Sequence, residues 1–338
     1  MKTFALVGPA IVVVAAVSCG HADLLPAPPL DTVQVELSVS MADFSFKSDI
    51  HTGTLPGEIQ INRLDYYVFD REGRLETVIS QSDGQPVTKP LHTGLKTIYA
   101  MANMENTAFE HCRTLSEFET VGISFAMHAK DNFPMSGRVD VAVGLPSSER
   151  IVIPVTRYLC RLYVAPVITA MSGPLEGEEV RIGNIYLSNV LGNCLADGGM
   201  PETDMSWYNC FGRPDGGGKQ DRIDVASDSS FPEWTFSPLK GGAYLYFFPN
   251  NTEKDRNGWE TDFSARYTRV IVEAYIRGVR YFYPVNLNGA VRNHSYRLNL
   301  TITRPGSADP DTFVFGVGQG ILVEVGGFEE GQTLNIVY

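Results

Sequence analysis

The chain has 338 residues, of which 43% are hydrophobic and 20% are charged, and its formal net charge is -12. This length gives room for two domains and a sizeable core. The negative charge argues against a nucleic-acid partner, because the phosphates of a nucleic acid would repel it.

The first residues have the pattern of an export signal. Lys2 supplies a positive charge and residues 4–17 are apolar, a run shorter than the roughly 20 residues of a membrane-spanning helix. The run ends in Ala16-Val17-Ser18-Cys19, which resembles a bacterial lipoprotein cleavage box with Ala16 in place of the usual leucine. We predict a signal peptide over residues 1–18 and a lipid-bearing Cys19 as the membrane anchor. Plain secretion with an incidental cysteine is the alternative.

A proline-rich spacer, residues 19–31, separates Cys19 from the first predicted strand and is expected to be extended. From Thr32 onward, apolar and polar residues alternate. This alternation is typical of a strand with one buried face. The apolar face of the first strand consists of Val33, Val35, Leu37, Val39 and Met41.

Further strands are predicted along the rest of the chain from the same alternation. They are Leu64–Phe69, Thr97–Ala102, Arg138–Val143, Ile151–Val155, Tyr158–Val164, Arg181–Leu187, Ala243–Phe248, Thr268–Ile276, Val279–Tyr283, Ser295–Thr303 and Gly320–Val325. The best helical signal is Leu115–Phe125. Many short strands with few helices predict an all-β fold made of antiparallel β-sandwiches.

A polar break at residues 146–150 divides the strand series in two. We therefore predict an N-terminal β-sandwich over residues 32–152 and a C-terminal β-sandwich over residues 153–338. Residues 192–230 are rich in Gly, Asp and Asn and are predicted to be an insertion loop of the second sandwich. Arg71–Arg74 and Ile276–Val279 are predicted hairpin turns, because each contains a glycine suited to positive φ.

Four cysteines follow Cys19. Cys194 and Cys210 flank a polar, glycine-rich segment, and outside the cell they are the favoured disulfide. Cys160 lies on the apolar face of a predicted strand and is predicted to be a buried free thiol. Cys112 gives no preference.

No arrangement of residues predicts catalysis, a cofactor or a metal. The tract Gly212–Gln220 lacks the glycine spacing of a phosphate loop, and Gln220 stands where Ser or Thr should follow the lysine. The acidic residues of the same loop do not have the spacing of a calcium-binding EF-hand. The six histidines are scattered, and no GxSxG motif is present. We predict that the protein is not an enzyme.

Aromatic residues lie in or beside the predicted insertion loop, among Asp and Asn side chains: Trp207, Tyr208, Phe211 and Trp234. Rings with polar neighbours suit carbohydrate, so these residues are candidates for glycan contact. The alternative is that they form a small core beneath the loop.

Six segments taken together resemble the Bacteroidales fimbrillins, the subunits of type V pili. Two resemble the first domain, two the region between domains and two the last domain. In chain order they are Ile61–Asp70, Gly94–Asn103, Phe133–Gly137, Val155–Tyr158, Arg292–Ile302 and Pro305–Pro310. They occur in the order of the family and extend over nearly the whole chain after the spacer.

The resemblance implies two transthyretin-like β-sandwiches and a lipoprotein precursor at the cell outer membrane. In that family a protease removes the first strand, and the carboxy-terminal strand of a neighbouring subunit fills the groove. Here the displaced strand would be Val33–Met41 and the cut would follow Lys47, where the family usually has Arg. The donor face would be Ile321, Val323 and Val325, or Leu334, Ile336 and Tyr338.

Two functional hypotheses follow. The first is a structural or adhesive fimbrial subunit, whose partners are other fimbrial subunits, the outer membrane through its lipid, and a ligand on a host or bacterial surface. The second is a monomeric surface lipoprotein that binds glycan through the aromatic loop. In the second case the terminal strands are ordinary core strands of an uncleaved protein.

Overall fold

A computed structural model describes residues 31–41, 55, 57–128, 131–144, 150–209, 236–237, 242–252, 267–287, 289–310, 321–322 and 329–337. Almost all regular structure in these ranges is β-strand, which confirms the predicted all-β class. The described residues from Thr32 onward belong to one compact unit. None of the described helices is long and apolar enough to cross a membrane.

The described residues of the amino-terminal half contain eight strands and one short α-helix. They are β1 (Thr32–Met41), β2 (Leu64–Phe69), β3 (Leu75–Gln81), β4 (Val87–His92), β5 (Gly94–Ala102), α1 (Leu115–Glu119), β6 (Gly122–Ser124), β7 (Met135–Val143) and β8 (Arg150–Arg157). Seven of these strands form one sheet in the order β3-β2-β5-β7-β8-β1-β4.

This sheet bends where β7 meets β8. The two strands pair at Met135–Arg157 and Ser136–Thr156. A Cβ atom at the next residue, Gly137, would overlap the carbonyl oxygen of Pro154, so the close backbone approach requires glycine. Side chains of β1, β4 and β8 share one buried cluster with side chains of β2, β5 and β7. The two parts of the sheet therefore face each other as a β-sandwich.

The carboxy-terminal half consists of shorter sheets. Its strands are β9 (Cys160–Val164), β10 (Ile168–Thr169), β11 (Val180–Ser188), β12 (Val190–Leu191), β13 (Asn193–Leu195), β14 (Trp207–Tyr208), β15 (Phe236–Ser237), β16 (Ala243–Phe247), β17 (Arg269–Ile276), β18 (Val279–Asn286), β19 (His294–Ile302), β20 (Ile321–Leu322) and β21 (Glu329–Val337). One sheet has the order β16-β9-β19-β21-β20 with β10 beside β19, and a second has the order β15-β11-β17-β18.

The prediction of purely antiparallel sheets is wrong. β1 runs parallel to β8, and β19 runs parallel to β9, β10 and β21. Side-chain alternation has the same period in parallel and antiparallel strands, so it contains no information about direction.

One large hydrophobic cluster crosses the predicted boundary at residues 152/153. It joins Tyr67 of β2, Tyr99 of β5 and Phe118 of α1 to side chains of β9, β11, β17 and β19. The ring centroids of Phe118 lie 4.8 Å from Tyr67 and 4.9 Å from Tyr99. The division into two transthyretin-like sandwiches stays a prediction, but any two such domains would share this apolar contact.

The predicted helix Leu115–Phe125 is largely wrong. Thr114 and Glu117 form a capping box that starts α1, but α1 ends at Glu119. The chain then enters β6, which pairs with β13. The predicted insertion loop is also more ordered than expected, because β13 and β14 lie within it and Cys194 and Ala196 are buried in the large cluster.

Candidate functional site: the seat of the first strand

β1 lies inside the sheet, between β8 and β4. It runs parallel to β8, with Leu37 opposite Ile151 and Val39 opposite Ile153. It runs antiparallel to β4, with Val33 opposite Leu91. Residues 32–37 of β1 pair with β4 and residues 36–41 pair with β8, so this first described strand lies between two neighbours.

The predicted apolar face of β1 is confirmed. Val35 and Leu37 have no exposed surface, and Val33, Val39 and Met41 pack against the same cluster. Full burial of a Val or Leu side chain contributes about 1.5–3 kcal/mol, so the two buried residues alone contribute about 3–6 kcal/mol. This is a large share of the roughly 5–15 kcal/mol that keeps a domain folded. Removal of β1 would leave an apolar groove.

The ion pair on the outer face of β1 is weak. Glu36 and Arg150 form an ion pair of 3.1 Å in which both side chains are exposed. An exposed pair of this kind contributes about 0–1 kcal/mol. Attachment of β1 thus depends on its inner face and on strand pairing.

A buried charged cluster surrounds Glu58, which lies between β1 and β2 in the sequence. The side chain of Glu58 is 1% exposed and that of Arg161, in β9, is 0% exposed. Arg161 Nη1 donates to Glu58 Oε1 and Oε2 at 3.0 and 2.9 Å, and the hydroxyl of Tyr246 donates to Oε1 at 2.7 Å. Arg157, the last residue of β8, donates from Nε to the carbonyl oxygen of Glu58 at 2.7 Å. This cluster joins residue 58 to β8, β9 and β16.

The pKa values in the cluster follow from burial. Burial lowers the pKa of Arg157 to about 10, against the opposing attraction of Glu58. Burial also raises the pKa of the Tyr246 hydroxyl far above its ordinary value, and the nearby Glu58 carboxylate adds to the shift. Tyr246 therefore remains a neutral donor to Glu58 at any physiological pH.

Two segments that carry the fimbrillin resemblance meet at the end of β8. Arg292 donates to the carbonyl oxygens of Thr156 at 3.0 Å and Arg157 at 3.2 Å. Its guanidinium lies 4.5 Å from the ring centroid of Tyr158. Asn293 accepts from Arg157 Nη1 at 2.9 Å. These contacts were not predicted from the sequence. The residues that could have indicated them are Arg157 in β8 and Arg161 in β9, because an arginine in an apolar strand requires a buried partner.

The predicted donor strands are paired within the chain. β21 lies parallel to β19, and β20 lies antiparallel to β21, with Ile321 opposite Leu334. Ile336 is half-buried against the large cluster and Val337 is 46% exposed. Val323, Val325 and Tyr338 lie outside the described residues. The end of β21 is thus less buried than the middle of β1.

The lipid and cleavage predictions fall on parts of the chain that are not described. Both Cys19 and Lys47 lie outside the described residues. The same is true of Cys210. Cys194 is a free, buried thiol in this structure, which does not show the predicted disulfide; the pairing with Cys210 stays a prediction.

Cys160 is a buried free thiol, as predicted, and its sulfur lies 3.1 Å from the carbonyl oxygen of Val291. Cys112 is also buried and free. Burial raises the pKa of both thiols, so neither is a ready nucleophile.

The glycan interpretation needs a correction at Trp207. Its side chain is 5% exposed and belongs to the large cluster, so its ring is not available to a sugar. Tyr208 is half-buried and packs against the same cluster, with its ring centroid 5.9 Å from Phe125. Phe211 and Trp234 lie outside the described residues. At Trp207 and Tyr208 the alternative, a core beneath the loop, is what the structure contains. Among the described residues no group of three or more His, Cys, Asp or Glu side chains could hold a metal ion.

Known proteins resemble this chain in part of its sequence and in its fold. Residues 33–172 match the family model of the major fimbrial subunit protein (FimA). No curated protein sequence matches the chain. The family match confirms the resemblance to fimbrillins over residues 33–172.

Three of the solved structures that resemble this chain illustrate the shared fold. One, from Parabacteroides distasonis and described as a "putative cell adhesion protein", is 18% identical with a TM-score of 0.57, covering 84% of this chain and 91% of that one. Another of the same description, from Bacteroides eggerthii, is 14% identical with a TM-score of 0.60 and coverage of 91% and 98%. The fimbrilin FimA of Porphyromonas gingivalis is 14% identical with a TM-score of 0.56 and coverage of 90% and 96%. At these identities the likeness shows a common fold.

Proposed function

We propose that this chain, whose residues 33–172 match the FimA major fimbrial subunit family, is a structural or adhesive subunit of a cell-surface fimbria. It reaches the outer membrane as a lipoprotein through Cys19 and polymerises by strand donation. The observation that carries this proposal is the position of β1: an amino-terminal strand that occupies the interior of a sheet.

The topology of β1 makes it separable. Its chain continues through residues 42–54 before Leu55 and Glu58 join the buried charged cluster. One cut in this interval, which contains Lys47, would break the only covalent link between β1 and the residues that follow it. The apolar groove left behind would have unpaired edges on β8 and β4, and these edges would accept a strand from another subunit.

The carboxy-terminal strand suits the role of donor. Leu334, Ile336 and Tyr338 repeat the period-two spacing of the β1 face. Donation requires β21 to leave β19, and the partial exposure of Ile336 and Val337 supports a lower cost for that step than for extraction of a fully buried strand. Donation from the end of one copy to the start of the next is a head-to-tail contact, which generates filaments rather than closed rings.

Limited trypsin digestion tests the proposal. The full chain should be cut after Lys47, lose the β1 fragment, and form a ladder of oligomers on unheated gels and filaments in electron micrographs. A Lys47→Gln variant should stay uncut at this site and monomeric. A chain shortened to end at Phe328, which lacks β21, should be cut but should not extend.

A cut protein that loses β1 and still stays monomeric at high concentration would contradict strand donation. If that monomer also bound a glycan array, the surface-lipoprotein hypothesis would replace it. Labelling of cells against the protein, followed by electron microscopy, would separate a position along filaments from one confined to the cell surface.

A further inference from the structure

The wall of the proposed groove has a weak point at β4. In the described part of the chain, β4 ends the sheet and β1 is its one strand neighbour. When β1 leaves, β4 loses its strand pairing. The chain enters β4 from β3 and leaves through Thr93 to β5, so both ends stay tethered, but tethers alone do not fix the direction of a strand.

Glu76 binds the corner where β4 joins β5. It lies on β3, at the opposite end of the sheet. Glu76 Oε1 accepts from the backbone N–H of His92 at 3.0 Å and lies 3.0 Å from Nδ1 of the His92 ring. Glu76 Oε2 accepts from Nζ of Lys96, whose side chain is 3% exposed. These contacts hold the last residue of β4 by groups that do not involve β1.

The site requires a carboxylate. His92 N–H and the Lys96 ammonium are donors, and both oxygens of an ionised Glu76 accept. Burial acts to raise the pKa of Glu76, but the hydrogen bonds from Lys96 and His92 outweigh burial, so the pKa lies below its ordinary value. A glutamine would place its own N–H₂ donors against one of these donors.

We propose that Glu76 is a positioning residue of the strand-acceptor groove: it keeps β4 in place when β1 is absent, so that an incoming strand finds a formed edge. Leu91, one residue before the corner, is buried in the groove core and opposite Val33, so displacement of this corner would also move the groove lining. The inference rests on the proposed strand donation.

The experiment compares intact and cut full-length protein. A fluorescent peptide of residues 329–338 is offered to protein cut after Lys47. Hydrogen exchange of the β4 amides of residues 87–89, 91 and 92 is followed in both the intact and the cut form. In Glu76→Gln, β4 amides should exchange about tenfold or more faster than wild type in the cut form, with a similar loss of peptide affinity, because a charge-assisted hydrogen bond is removed. In the intact form, pairing with β1 should keep the exchange close to wild type.

Two further variants control the result. Glu72→Gln changes an exposed carboxylate of the preceding turn, paired with Arg74, and should behave as wild type. If Glu76→Gln does not fold because Lys96 loses its counter-charge, the double variant Glu76→Gln/Lys96→Met removes both charges and still lacks the ionised acceptor for His92 N–H.

Each outcome decides the inference. If wild type captures the peptide and the Glu76 variants capture it equally, the role of Glu76 is refuted while strand donation stands. If β4 is loosened to the same extent in intact and cut protein, Glu76 serves general stability and the inference also fails. If cut wild type captures no peptide, strand donation is refuted and this role falls with it.

Discussion

Replacing Glu58 with alanine is expected to destabilise the intact protein by about 3–5 kcal/mol, the range for removing one partner of a buried ion pair. The substitution deletes the carboxylate that accepts from Arg161 and Tyr246 in a site with almost no solvent access. The backbone carbonyl that accepts from Arg157 is retained. The loss is therefore attributable to the side chain.

The magnitude follows from burial. Arg161 would keep its charge in an apolar strand, with its bond to Ser295 at 2.9 Å but without the carboxylate. A loss of this size is about a fifth or more of the stability of a typical domain. Removal of an exposed ion pair, by comparison, changes the free energy of unfolding by only about 0–1 kcal/mol.

Urea denaturation measures the effect. Wild type, Glu58→Ala and the matched control Glu72→Ala are unfolded under the same conditions, and the midpoints are compared at constant slope. Glu72 is exposed and pairs with Arg74, so its variant should lie within about 1 kcal/mol of wild type. A loss below about 1 kcal/mol for Glu58→Ala would refute the reasoning, since it would mean that Arg161 does not depend on this carboxylate.

Three further predictions concern other sites. Leu37→Ala should cost the intact protein about 2–5 kcal/mol in urea denaturation, because it opens a cavity in the sandwich core; a cost below about 1 kcal/mol would contradict the burial of β1. Gly137→Ala should lower stability by about 1–3 kcal/mol, since the new Cβ collides with Pro154, and an unchanged midpoint would contradict the close approach. Burial lowers the pKa of His128 to about 4, against about 6.5 when unfolded. The stability from this neutral ring is complete above about pH 6.5 and is lost as the pH falls toward 4, so between about pH 7 and 4.5 wild type should lose about 2–3 kcal/mol more than His128→Gln; equal losses would contradict it.

The strand pattern of this protein was predictable where one face of a strand is buried. The sequence places five apolar residues on one face of β1, and that face lies in the core. β3 and β4 were missed for a physical reason: both are at sheet ends, and β4 contains Lys89 and Pro90, residues that blunt an exposed edge and break alternation.

The charged cluster could not be assembled from sequence. Glu58 and Arg161 are 103 residues apart, and neither has a local motif. The arginine in the apolar strand β9 indicated that a partner was needed, but the identity of the partner is fixed by tertiary packing. Strand direction is similar, because the parallel course of β1 beside β8 depends on the chain between them rather than on either strand.

β1 and Glu58 lie on either side of residues 42–54 and are held in place by different kinds of contact. This difference bears on strand donation. β1 is held by apolar burial and strand pairing, which any strand of the same period can replace. Glu58 is held by charge-assisted bonds that a β-strand does not supply, and it also binds Arg157 at the end of β8, one wall of the groove. A cut in this interval would therefore release the replaceable element and keep the remaining chain attached to the groove wall at Glu58. Glu58→Ala should therefore lower both the stability of the intact chain and the affinity of the cut protein for the 329–338 peptide. A variant that is destabilised but captures the peptide with wild-type affinity would disprove this link between Glu58 and strand capture.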